Sequence, residues 1–176
     1  MRILGNEKMI VEAAKLADYA HKGQKRKWSK SHVGYITHPL RVAGMVTLLD
    51  GATEEMVAAA WLHDVVEDSH VTIEDIIVRF GKEVGAMVLG LTNASKGMDL
   101  PRAERKKIDR EHLAQQSDEV KLIKLCDRID NLRESIEANA PQDFMKKYRA
   151  ESLLLLEEAL SGVNDVLEAE VRRLAE

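Results

Sequence analysis

Proline occurs only three times and glycine ten times in 176 residues, so the chain carries few of the residues that interrupt a helix. Runs of β-branched residues alternating with polar ones are scarce, whereas apolar residues recur almost everywhere at spacings of three and four. The pattern predicts an all-α fold of about eight to ten helices. A chain of 176 residues is ample for one well-cored domain and short for two, so residues 1–176 read as a single domain.

Capping chemistry sets the expected boundaries. Asn6 can cap a first helix running to His21, with Ile10, Ala13, Ala14, Ala17 and Tyr19 toward the core. A basic loop, HKGQKRKWSKSHVGYIT, leads to a second helix with Pro39 in its first turn, which puts His38 at the helix entrance and Leu40, Val42, Ala43 and Val46 inward. Thr53 can cap a third helix containing His63 and Asp64. Thr72 and Asp75 resemble a capping box for a short helix ending at Gly81, and another apolar helix covers 84–91. NASKGMDLP reads as a loop. A charged helix follows over 102–115, then a buried one from about Asp118, then two amphipathic helices after Pro141 with residues 153–156 inward. Those last helices can pack internally or across a homodimer.

Within this helical background, AAAWLHDVVEDSHV (58–71) is unusual. At about 100° per residue, His63, Glu67, Asp64 and Asp68 share one side of a helix. A solvated face would intersperse its acids with lysine or arginine, and none occurs between Ala58 and His70. Positive charge has to come from elsewhere. Imidazole nitrogen and carboxylate oxygen suit Mn²⁺, Fe²⁺ or Zn²⁺, and a bound dication would remove the repulsion. His63 and Asp64 could supply two ligands, with His38 and Asp127, polar residues at otherwise apolar positions, completing the set. Asn131, one turn after Asp127, can hydrogen-bond an approaching ligand. Glu67 and Asp68 would then be free to orient or deprotonate a water beside the cation, which is hydrolytic chemistry.

Each residue alone has a plainer reading. An HD dipeptide is common, Asp127 can pair with Lys124 or Arg128, His38 can cap a helix, and Glu67 and Asp68 can end a solvated turn. Acids at a helix C-terminus oppose its dipole, and buried unpaired charge is costly, so the joint metal reading explains the set better than packing does.

Net charge of −4 and a pI near 5.9 argue against broad DNA or RNA binding. Cys126 is the only cysteine, so no internal disulfide can form; as a small buried residue without a neighbouring base it is a poor nucleophile. The start, MRILGNEKMIVEAAK, lacks a signal-peptide core, and no window approaches the roughly 18 apolar residues of a membrane span. The expectation is a cytoplasmic protein without membrane contact. His21 reads as a dipole partner or loop brace, His32, His70 and His112 as surface residues, Trp61 as core, and Trp28 as core or as a cover for a nucleobase.

The stretches AHKGQKRK, YITHPLRVA, AAWLHDVVEDS, IEDIIVRFGKEV, LPRAERKK and IKLCDRIDNLR span residues 20–133. In that order and spacing they resemble the HD-domain hydrolases of the RelA/SpoT homologue family, specifically the stand-alone small alarmone hydrolases. The resemblance implies a helical globule around one Mn²⁺ held by His38, His63, Asp64 and Asp127, with Glu67 and Asp68 activating the attacking water. It further implies removal of the 3′-pyrophosphate from guanosine tetra- or pentaphosphate, leaving GDP or GTP. Substrate contacts map onto Arg26 and Lys27 on the base side, Tyr35 beside the metal loop, Asn131 near the ribose and Arg102 for phosphate. Tyr148 and Arg149 are further candidates. The basic loop also reads as a solvated loop or, as a cluster, as a device for steering an anionic substrate.

Two departures from the family pattern bear on the pocket. Gly34 stands where the family has proline before Tyr35-Ile36, in a loop longer than in many members. Asp130 stands where the family often has histidine or tyrosine, and if it faced the pocket its charge would weaken binding of an anion. Other readings are an HD phosphohydrolase acting on NADPH or an adenosine alarmone, a nucleotide sensor without catalysis, and a purely structural scaffold.

Overall fold

Met56, Val57, Ala58, Ala59, Ala60 and Leu62 are all buried in helix α3 (Glu54–Leu62), whose start is capped by the Thr53 hydroxyl accepting from the Met56 N–H. A helix that is apolar on every side has to lie at the centre of its fold. The computed structural model, which describes residues 7–28 and 33–176, places α3 between α1 (Glu7–Ala20), α2 (Thr37–Thr47), α5 (Ile73–Leu91) and α7 (Asp118–Glu137). The three consecutive alanines let neighbouring backbones approach closely, and Ala13, Ala17, Val42, Val46, Val84 and Val88 fill the space around them. Each large core side chain such as Leu62 or Ile123 contributes about 1.5–3 kcal/mol by leaving water.

The remaining helices are α4 (Val65–Asp68), α6 (Arg102–Ala114), α8 (Gln142–Leu155) and α9 (Asp165–Ala175). Nine α-helices and no strand occur among the described residues, as the sparse proline and glycine predict. The expected capping box forms: the Thr72 hydroxyl accepts from the Asp75 N–H, and Asp75 accepts from the Thr72 N–H. Gly81 takes φ +90°, so the two helices expected on either side of it join as one kinked element, α5. At the far end α8 runs into a wider π-turn, Leu156–Leu160, that packs against α6, while α9 buries Val171, Leu174 and Ala175 against α7 and α8. No described helix is long and apolar enough to cross a membrane.

Several local expectations are corrected. Helix α3 ends at Leu62, and His63 and Asp64 form the break before α4 rather than lying inside one helix. Tyr19 and Leu40, assigned inward by periodicity, are exposed, and Leu154 is exposed within the 153–156 run. Their helices lie on the perimeter, where the buried stripe is narrower than the apolar one. Trp61 packs against the core, whereas Trp28 sits outside it and meets the Phe144 ring. Asn6 and His32 lie outside the described residues.

Candidate metal centre and its cavity

The break after Leu62 turns the His63 and Asp64 side chains toward the first turn of α2, where His38 is fully buried, and toward the middle of α7, which presents Asp127. The Nε2 atoms of His38 and His63 stand 3.1 Å apart. Asp64 Oδ2 lies 3.0 Å from His63 Nε2 and 3.6 Å from His38 Nε2, while Asp127 Oδ1 lies 3.2 Å from His38 Nε2 and 3.8 Å from that of His63. Ligand atoms of His38, His63 and Asp64 all fall within 4.8 Å of one another.

The outer nitrogens decide what the inner ones offer. His38 Nδ1 donates to Asp130 Oδ2 at 2.6 Å and His63 Nδ1 donates to the Ala60 carbonyl at 2.7 Å. With the Nδ1 protons held outside, each ring, when neutral, presents its Nε2 lone pair to the other ring and to two carboxylate oxygens. That convergence is repulsive alone and suits a divalent cation. Proton affinities report the same demand. Burial disfavours a charged His63, yet Asp64 and then Asp127 outweigh it and push its pKa up to about 9. Burial likewise opposes charge on Asp64 and Asp127, but His63 on the first and Lys124 on the second hold both well below the usual carboxylate range.

Asp127 also accepts from Lys124 (2.8 Å) and from the Asn131 side-chain amide (2.5 Å), so the plainer ion-pair reading is true as well. Tyr35 donates to Asp64 Oδ2 at 2.5 Å; burial, then the Asp64 charge, raise its pKa and keep it a neutral donor. A pinch in the basic loop delivers it, with the Tyr35 N–H donating to Gln24 O and the Arg26 N–H to Val33 O. His21, buried at the foot of this loop, bonds Gln24 and packs on the Tyr35 ring, which is the loop-brace role.

Glu67 and Asp68 differ in freedom. The Asn93 backbone N–H and side-chain amide each donate to one Glu67 oxygen at 2.7 Å, and Lys96 donates to the carbonyls of Val66 and Glu67. The Asp68 carboxylate is more exposed; partial burial, then repulsion from Asp64, raise its pKa.

A cavity opens from Asp64 and Asp127 between α5, α6, α7 and α8. Tyr35, Asn131 and Tyr148 line it together with the cations Lys106, Lys124 and Arg128. Arg128 lies 4.7 Å over the Tyr148 ring. Arg102 shares a neighbouring hollow with Glu67, Lys96 and Lys106 and is ion-paired with Glu151. Arg26 stands behind the site, donating to Glu134 and Asn131 and packing over Tyr35, while Lys27 is held over Trp28 and Phe144. Arg149 is turned away, toward Glu176 at the chain end. Asp130 faces His38 and Arg41, not the cavity. His112, expected at the surface, lines the cavity with its Nε2 buried and unpaired. Nothing in the helical pattern marks Asn93, Lys96 or Lys106, whose positions follow from packing across 26 or more residues.

Residues 13–155 match the family model described as an HD domain. The chain is 36% identical over 167 residues to a guanosine-3′,5′-bis(diphosphate) 3′-pyrophosphohydrolase of Xenopus tropicalis, covering 93% of this chain and 90% of that one. It is 37% identical over 126 residues to the Homo sapiens protein of the same name, covering 71% and 68%. Its fold superposes with a TM-score of 0.81, at 29% identity and over 94% and 93% of the two chains, on a solved structure described as a metazoan ortholog of SpoT that hydrolyzes ppGpp.

Proposed function

The chain belongs to the HD-domain family, and from that premise we propose that it is a single-domain cytoplasmic hydrolase removing the 3′-pyrophosphate of guanosine-3′,5′-bis(diphosphate). One observation carries the reading: His38, His63 and Asp64 converge with Asp127 beside the two imidazoles, next to the acids Glu67 and Asp68, in a chain similar over nine-tenths of its length to a hydrolase of that name.

His38, His63, Asp64 and Asp127 would hold one Mn²⁺. When bound, such a cation supplies positive charge that offsets charge building on the phosphate and makes a nearby water easier to deprotonate. Water forms the new bond to phosphorus as the bond to the ribose 3′-oxygen breaks, so pyrophosphate leaves and GDP remains. Asp68, with its raised pKa, accepts the proton of the attacking water, and Glu67, fixed by Asn93, orients that water. Lys106, Lys124 and Arg128 face the phosphates, with Arg102 and Lys96 at the mouth. Tyr35, Asn131 and Tyr148 shape the nucleoside side. Arg26 acts through Tyr35 and Asn131, and Lys27 borders the base side.

The test is ion-exchange analysis of products after incubation with guanosine tetraphosphate and Mn²⁺, beside Glu67→Gln/Asp68→Asn. GDP and pyrophosphate from the native chain alone are expected. Tight nucleotide binding without turnover would overturn the reading in favour of a sensor; turnover of NADPH or an adenosine alarmone instead would overturn the guanosine assignment.

A further inference from the structure

The two histidines of the metal centre are supported differently. His63 leans on a neutral backbone carbonyl, that of Ala60, whereas His38 donates to a carboxylate, Asp130. Asp130 is buried on α7 one turn after Asp127, so a single helix face provides one ligand directly and the support of another. Its own orientation is fixed. Oδ1 accepts from Arg41 Nε at 2.5 Å, and Oδ2 accepts from Arg41 Nη2 at 3.1 Å as well as from His38. Arg41 is in turn held by Glu134, which also accepts from Arg26.

A carboxylate in this place does two things to an imidazole. It draws the proton to Nδ1, so that Nε2 carries a lone pair, and its negative charge makes that lone pair a better donor to a cation. We propose that Asp130 is a positioning residue that locks His38 in the Nδ1–H form and makes it the stronger of the two histidine ligands. The inference rests on the metal part of the reading above and is independent of the substrate.

The experiment compares Mn²⁺ affinity, by calorimetry and by the electron paramagnetic resonance of free Mn²⁺, for the native chain, Asp130→Asn, Asp130→Glu and Glu134→Gln. Circular dichroism checks folding. Asp130→Asn is expected to bind Mn²⁺ roughly 10- to 100-fold more weakly, with partial recovery in Asp130→Glu. Glu134→Gln removes one negative charge from the same network without touching an imidazole, and its affinity is expected to stay close to the native value. A folded Asp130→Asn that binds as tightly as native overturns the proposal, as does an equal loss in Glu134→Gln, which would reduce the effect to charge. A native chain that binds no Mn²⁺ overturns the metal reading itself. Should Asp130→Asn not fold, long-range nitrogen–proton correlation spectra of the native chain decide: Nδ1–H on His38 is expected, and Nε2–H overturns the proposal.

Discussion

Asn93 grips Glu67 at both ends of its carboxylate, with the backbone N–H on Oε1 and the side-chain amide on Oε2, each at 2.7 Å. Glu67 lies on α4 and faces the loop after α5, so that loop fixes an acid that its own helix leaves free to rotate. Asn93→Ala should release it. We expect kcat to fall roughly 10- to 100-fold with KM little changed, because positioning and not binding is lost. Steady-state kinetics with guanosine tetraphosphate would check this, and an unchanged kcat would count against an orienting role for Glu67.

Removing the metal should cost stability. At a concentration one hundred times its Kd, a ligand specific to the folded state contributes about 2.7 kcal/mol, which for a chain of this size is a Tm increase of roughly 5–10 °C. Thermal melts of chelated protein with and without added Mn²⁺ would show the shift. Asp127→Ala should abolish it.

Stability at low pH should depend on Glu170. This acid joins α9 to α7: Arg173 donates to it, as does Arg133, and despite slight burial they lower its pKa from 4.5 to about 2. An acid with a depressed folded-state pKa stabilises fully above its unfolded pKa, and loses that contribution as pH falls through the folded value. Glu170→Gln should therefore lower stability by about 0.5–1 kcal/mol at pH 7, and the difference should close between pH 4.5 and about 2. Denaturant melts across that window measure it.

Two glycines should respond oppositely to alanine. Gly81 holds φ +90° and ψ 169° at the kink of α5 with open space where a Cβ would sit, so Gly81→Ala meets no clash and the whole penalty is backbone strain, about 1–3 kcal/mol. Gly44 lies exposed inside α2, also with open space, and Gly44→Ala should stabilise by about 0.5–1 kcal/mol. Denaturant unfolding of the pair would test both signs.

The all-α fold and most helix limits were legible because they depend on local chemistry: the Thr53 cap, the Thr72–Asp75 box and the proline at position 39 act within a few residues. His38, His63, Asp64 and Asp127 were legible as ligand types in apolar surroundings. The break at His63–Asp64 was not, since no glycine or proline marks it, and the exposure of Tyr19 and Leu40 depends on which helices lie outermost. Asn93 and Asp130 reach Glu67 and His38 across 26 and 92 residues, a distance at which periodicity carries no information.

The hydrogen bonds around Asp130 run from His38 to Asp130, Arg41, Glu134, Arg26, Asn131 and Asp127, beginning and ending on residues of the candidate metal centre. Within it Asp130, Arg41, Glu134 and Arg26 alternate in charge, so exchanging one of these four alone unbalances its charged neighbours. Among descendants of this chain, positions 26, 41, 130 and 134 should therefore drift as a block: losing the acid at 130 should relax selection on arginine at 41, and a neutral residue at 134 should be tolerated best where one of its two arginines has already gone.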